Sequence, residues 1–83
     1  MSNSDAAIYE KLTTIFRGIF EDPSIVLRPE TSEADIAGWD SFANTTIIAA
    51  IEQEFSIRFR TAELRTLNNV GSFVDHIRAK LPG

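Results

Sequence analysis

Gly38-Trp39-Asp40-Ser41-Phe42 lies midway along the chain, after an acidic, loop-like segment and before the most apolar helix candidate. Gly38 breaks the chain and permits unusual backbone angles. Asp40 suits a helix N-cap, because its carboxylate can accept the unpaired N–H groups of the following turn. Ser41 then falls on the first turn with its hydroxyl near solvent, and Phe42 begins the apolar face. A serine at such a position can carry a phosphate ester, whose charge the helix dipole and free N–H groups favour. On these five residues alone, an ordinary cap and first-turn residue is the simpler account. The rest of the chain decides between the two.

Working outward, residues 40–55 read as a helix, with Phe42, Ile47, Ile48, Ile51 and Phe55 supplying apolar contacts. The β-branched run Thr45-Thr46-Ile47-Ile48 lowers helix propensity and makes a strand the competing reading. Ala49, Ala50 and Glu52-Gln53-Glu54 favour helix, held together by burial. Upstream, residues 4–20 predict an amphipathic helix, with Ser4 or Asp5 as cap and Ile8, Leu12, Ile15, Phe16, Ile19 and Phe20 on one side. Asp22 before Pro23 ends it. A long connection then runs from Pro23 to Trp39, a length that is often functional in a small domain. Ile25, Val26, Leu27, Ile36 and Trp39 are its candidates for pinning the loop to the core.

Downstream, Ser56-Ile57-Arg58-Phe59-Arg60 alternates as an extended connector. Thr61 is expected to cap a short turn over 61–65, and Leu67 is a further buried candidate. Asn69 is expected to cap a last helix marked by Val70, Phe73, Val74, Ile77 and Leu81, ended by Pro82-Gly83. The pattern predicts an all-α bundle of three main helices and one short one, joined by a long first loop. Phe16, Phe20, Phe42, Phe55, Phe59 and Phe73 are expected in the core, and packing is the preferred role for Trp39.

Composition narrows the function. A chain of 83 residues with 43% hydrophobic residues argues for one domain, residues 1–83. It contains no cysteine, which excludes disulfides and thiolate chemistry from its own side chains. The formal net charge of −4 argues against nucleic acid as the main partner. Glu21, Asp22, Glu30, Glu33, Asp35 and Asp40 form an acidic middle suited to steering basic partner proteins. No apolar run is long enough to insert in a membrane. With no signal-peptide pattern over residues 1–5, the expectation is a cytoplasmic protein; it is also expected to be a monomer. His76, the sole histidine, reads as a helix-surface residue near Asp75. A triad of Ser41, His76 and an aspartate lacks the Gly-x-Ser-x-Gly elbow and strand frame that a hydrolase needs.

Taken in order, these landmarks resemble the acyl carrier protein family over nearly the whole chain. Asp40-Ser41 stands in register with the family's Asp-Ser-Leu signature. Glu52-Gln53-Glu54-Phe55 matches its Glu-x-Glu-Phe-like helix end, and Asn69-Val70 its last-helix opening. The resemblance implies a non-enzymatic carrier with 4′-phosphopantetheine on Ser41, placed there from coenzyme A by a phosphopantetheinyl transferase with magnesium assisting. Asp40 would cap the helix and help present Ser41, and Phe42 would supply an adjacent apolar contact. The arm's thiol would hold an acyl group as a thioester for acyl-loading and acyl-transfer enzymes of fatty-acid, polyketide or related biosynthesis. The missing cysteines fit, since the sulfur comes from the cofactor. An aminoacyl or peptidyl carrier, and an unmodified interaction module of the same fold, are the alternatives. The chain departs from the family at Phe42, where leucine is usual, and at Ala43 and Thr46, where many fatty-acid carriers place acids. Arg58 and Arg60 make the connector basic. These departures point to a specialised carrier.

Overall fold

Ile8, Leu12 and Phe16 recur every fourth residue and all three are buried, which gives the first helix one deep apolar stripe. The computed structural model describes residues 5–81. Within them the order is α1 (Asp5–Phe20), a 3-10 turn (Glu33–Asp35), α2 (Ser41–Phe55), α3 (Thr61–Leu64) and α4 (Val70–Lys80). The described residues are therefore all-α, with the predicted three main helices, one short helix and a long first loop. Asp5 lies within α1. The alternative cap Ser4, and the stop at Pro82-Gly83, lie outside the described residues.

The stripe of α1 packs against α2 and α4. Ile47 and Ile51 come from α2, and Val70, Phe73, Val74 and Ile77 from α4. Ile47 and Ile51 have no exposed surface. Their burial decides the helix-versus-strand question over 45–48. Thr45 and Thr46 also settle into the helix, because their hydroxyls donate back to the carbonyls of Ser41 (3.1 Å) and Phe42 (3.4 Å). At its far end α2 stops at Ser56, which takes the left-handed conformation at φ 57°, and the Ile57 amide bonds back to the Glu52 carbonyl at 3.1 Å.

The long loop is pinned at both the side-chain and the backbone level. Ile25 and Leu27 are buried while Val26 between them is exposed, an alternation that needs no partner strand. The Arg17 Nε donates to the Ile25 carbonyl at 2.9 Å. The first two amides of α4, Val70 and Gly71, donate to the loop carbonyls of Thr31 and Pro29, each at 2.8 Å. Donors that a helix start leaves unpaired are thus satisfied by the loop. A Cβ on Gly71 would stand 3.0 Å from the Pro29 oxygen, so this approach depends on glycine. Thr31, a buried polar residue, accepts from the Arg28 amide at 2.9 Å.

Two details correct the sequence reading. The N-cap position of α3 is Arg60 rather than Thr61. The Arg60 side chain makes no cap bond; the Glu63 amide donates to the Arg60 carbonyl at 2.9 Å, and the Glu63 carboxylate reaches back to accept from the Arg60 amide at 2.7 Å. Among the phenylalanines, Phe16 and Phe73 are buried, and Phe20, Phe55 and Phe59 pack at the core's edge. Phe42 is 83% exposed and belongs to the surface. Asn69 does cap α4 as expected, its Oδ1 accepting from the Ser72 amide at 2.9 Å.

Candidate functional site

Trp39 fixes where α2 begins. Its ring is buried and meets Phe16 edge-on at 5.1 Å between centroids. Its indole N–H donates to the Asn44 Oδ1 at 3.0 Å, tying the loop's last turn to the helix that follows. Gly38, at φ 91°, turns the backbone into this position. Asp40 then adopts the extended N-cap conformation, and its Oδ1 accepts from the Ala43 amide at 2.9 Å.

This leaves Ser41 exposed as the first residue of α2. The cap is supplied by Asp40, so the Ser41 hydroxyl is not needed for it. The amides of Ser41 and Phe42 open the helix, where no earlier turn offers them a carbonyl. A phosphate ester at this hydroxyl would meet solvent on one side and the positive end of the helix on the other. The residues present therefore fit a phosphate-linked prosthetic group. The sequence-predicted residues Asp40, Ser41 and Phe42 lie together at one helix start. Phe42 points outward, against the expectation that it begins the core face.

Beyond Asp40 itself, the exposed face of α2 next to Ser41 carries no charge. Ser41, Phe42, Thr45, Thr46 and Ala49 are the exposed residues over the first two turns and more of α2. The first acid beyond them, Glu52, is turned to accept from the Phe59 amide at 2.9 Å, and Glu54 pairs with Lys11 at 3.2 Å. Several acids of the preceding loop serve local turns. Asp22 accepts from the Ser24 hydroxyl (2.6 Å) and amide (2.9 Å), which hold its carboxyl below the usual range. Asp35 accepts from the Ser32 amide at 2.9 Å. A groove of about 320 Å³ runs beside Ser41 between the end of α1 and the start of α2, lined by Ile19, Phe20, Gly38, Phe42, Ala43 and Thr46.

His76 is not part of this site. It faces the Thr66 hydroxyl at 2.9 Å and Glu63 at 3.5 Å, beside the ring of Phe59. Asp75, its expected neighbour, instead pairs with Arg78 at 2.9 Å. No cluster of metal-ligating side chains occurs among the described residues. None of the described helices is long and apolar enough to cross a membrane.

Among the described residues, a four-helix arrangement with a long first loop and an exposed serine opening the second helix is the arrangement expected of a carrier-type domain. Comparison with known proteins agrees. The family described as phosphopantetheine attachment site matches residues 10–77. An acyl carrier protein of Acidothermus cellulolyticus is 30% identical over 77 residues, covering 93% of this chain and 92% of that protein. The solution NMR structure of the holo acyl carrier protein from Geobacter metallireducens superposes with a TM-score of 0.82 at 43% identity, over 87% of this chain and 83% of that one. The chain belongs to the phosphopantetheine-binding acyl carrier protein family, and its cofactor is covalently bound 4′-phosphopantetheine.

Proposed function

We propose that Ser41 is the attachment point of 4′-phosphopantetheine and that residues 1–83 act as one monomeric carrier unit, cytoplasmic and without catalytic activity of its own. The observation that carries this is the serine's position. It is exposed, it opens α2, and Asp40 next to it supplies the cap. Asp40 holds the first turn in place and presents the hydroxyl to a phosphopantetheinyl transferase. Phe42 supplies an apolar contact beside it. When bound, the group supplies a terminal thiol on which an acyl cargo is carried as a thioester. The chain's own residues position that arm and offer a surface to the enzymes that load and unload it. Those contacts are brief, which suits a small interface.

The reading extends to acyl intermediates of fatty-acid, polyketide or related biosynthesis, in a specialised rather than a housekeeping pathway. The uncharged exposed face of α2 favours specialisation, because a partner that selects acids there finds none before Glu52. Co-expression with a broad-range transferase followed by intact-mass measurement is the test. The expected result is a gain of one phosphopantetheine that Ser41→Ala abolishes. An unchanged mass with an active transferase, or a gain that survives Ser41→Ala, overturns the assignment. Efficient turnover by a housekeeping ketosynthase would refute specialisation.

A further inference from the structure

The groove between α1 and α2 has no role in the function as described, yet it begins on the residue next to Ser41. Its six lining residues are all uncharged. Phe42 forms one wall and leaves most of its ring open to solvent. Phe20 and Gly38 lie together in it, the phenyl carbons standing 3.7 and 3.8 Å from where a Gly38 Cβ would be. A larger groove in the loop, of about 470 Å³, also touches Phe20 but is lined by Asp22, Arg28, Glu30 and Asp35, a poor seat for an apolar group.

We propose that the α1–α2 groove seats the root of the arm carried on Ser41, the branched dimethyl segment that follows its phosphate. The inference rests on Ser41 being the attachment point. Two arguments select this occupant. The first is reach: the dimethyl carbon stands only a few bonds beyond the phosphate, whereas the thiol and its cargo lie much further along the arm. The second is the tether. A covalent link replaces free diffusion with a high effective concentration, so a contact too weak to capture a free ligand is populated. Phe42 and Ile19 offer apolar surface, and Thr46 adds a methyl group and a hydroxyl. With the root held there, the thiol end stays outside the bundle and available to partner enzymes.

The test uses isotope-labelled protein loaded from unlabelled coenzyme A, with loading verified by intact mass. Isotope-filtered NOE spectra should connect the geminal methyl groups of the arm to Ile19, Ala43 and Thr46. Loading should also shift the amide signals of Ile19 and Phe20, which are distant in sequence from Ser41. Thr46→Arg should load normally and lose these NOEs, with circular dichroism confirming the fold. A loaded wild-type protein whose arm shows no NOE to the groove, with shifts confined to residues adjoining Ser41, overturns the inference and leaves the attachment reading intact. Failure to load overturns both, and the mass spectrum separates that result from the former. The wild-type measurement decides the matter even if a variant fails to fold.

Discussion

The hydrogen bond from Trp39 to Asn44 ties the loop to α2 next to Ser41, and its contribution can be isolated with a double-mutant cycle. Asn44→Ala removes the acceptor and leaves the buried indole N–H without a partner, which costs about 1–3 kcal/mol. Trp39→Phe removes the donor and keeps an aromatic ring against Phe16, which lies 5.1 Å away. It also surrenders part of a large buried surface, for a loss of about 1–3 kcal/mol. The double variant has neither unpaired group, so its cost should fall short of the sum by about 0.5–1.5 kcal/mol, the usual net worth of such a bond. A domain of 83 residues has roughly 4–12 kcal/mol of total stability, so each single variant stays folded, and the cycle closes when the parent has more than about 6 kcal/mol. Urea unfolding followed by circular dichroism is the assay, since Trp39→Phe removes the sole tryptophan. Additivity within about 0.3 kcal/mol would refute the coupling and with it the claim that this bond fixes the start of α2.

Asp40→Ala should lose the cap, about 1 kcal/mol, and lower the melting temperature by about 4–8 °C, while Asp40→Asn retains most of it; equal melting of the two would refute the cap. Gly38→Ala should cost about 1–2 kcal/mol in denaturant unfolding, because φ is 91° there and the added methyl meets Phe20 only at ordinary contact distance, so the penalty lies in the backbone. Glu63 is held below its ordinary value of 4.5, to about 2, first by the Arg60 amide and then by Lys80. Its folded pKa is depressed, so the stabilisation is present above pH 4.5 and fades as pH falls toward 2. Melting curves of Glu63→Gln against the parent should therefore differ at about pH 6 and converge in acid; a constant gap would count against the linkage.

The main fold was legible because the apolar periods of α1 and α4 are long and regular. Ile8, Leu12 and Phe16 need no knowledge of their partners to be assigned to one face. Residues 45–48 were harder. Two threonines and two isoleucines favour a strand locally, and only the burial of Ile47 and Ile51 in the core that α2 shares with α1 makes the helix the better structure. The N-cap of α3 was misplaced for a related reason. Threonine at 61 is a good cap by type, but Glu63 satisfies the Arg60 amide from inside the turn, and a carboxylate acting backwards is indistinguishable in sequence from an ordinary surface acid.

Asp40 as the cap and Ser41 as an exposed first-turn residue were readable because both are local features. Phe42 was not, and the error has a physical source. At about 100° per residue, Phe42 stands about 140° from Ile47 and about 180° from Ile51, but α2 carries apolar residues on several faces, Ile48 and Ala50 among them, and these hide which face turns inward. The rotation of α2 is set by Trp39, whose burial against Phe16 and bond to Asn44 fix the first turn relative to α1. With Ile47 and Ile51 inward, Phe42 has to lie at the surface. The same rotation brings Phe42, Ala43 and Thr46 up to Ile19 and Phe20, so an apolar groove opens one residue from the serine. Exposure of the aromatic ring and the existence of the groove are thus two consequences of one tertiary constraint, a constraint that requires the packing of three segments and is absent from any one of them.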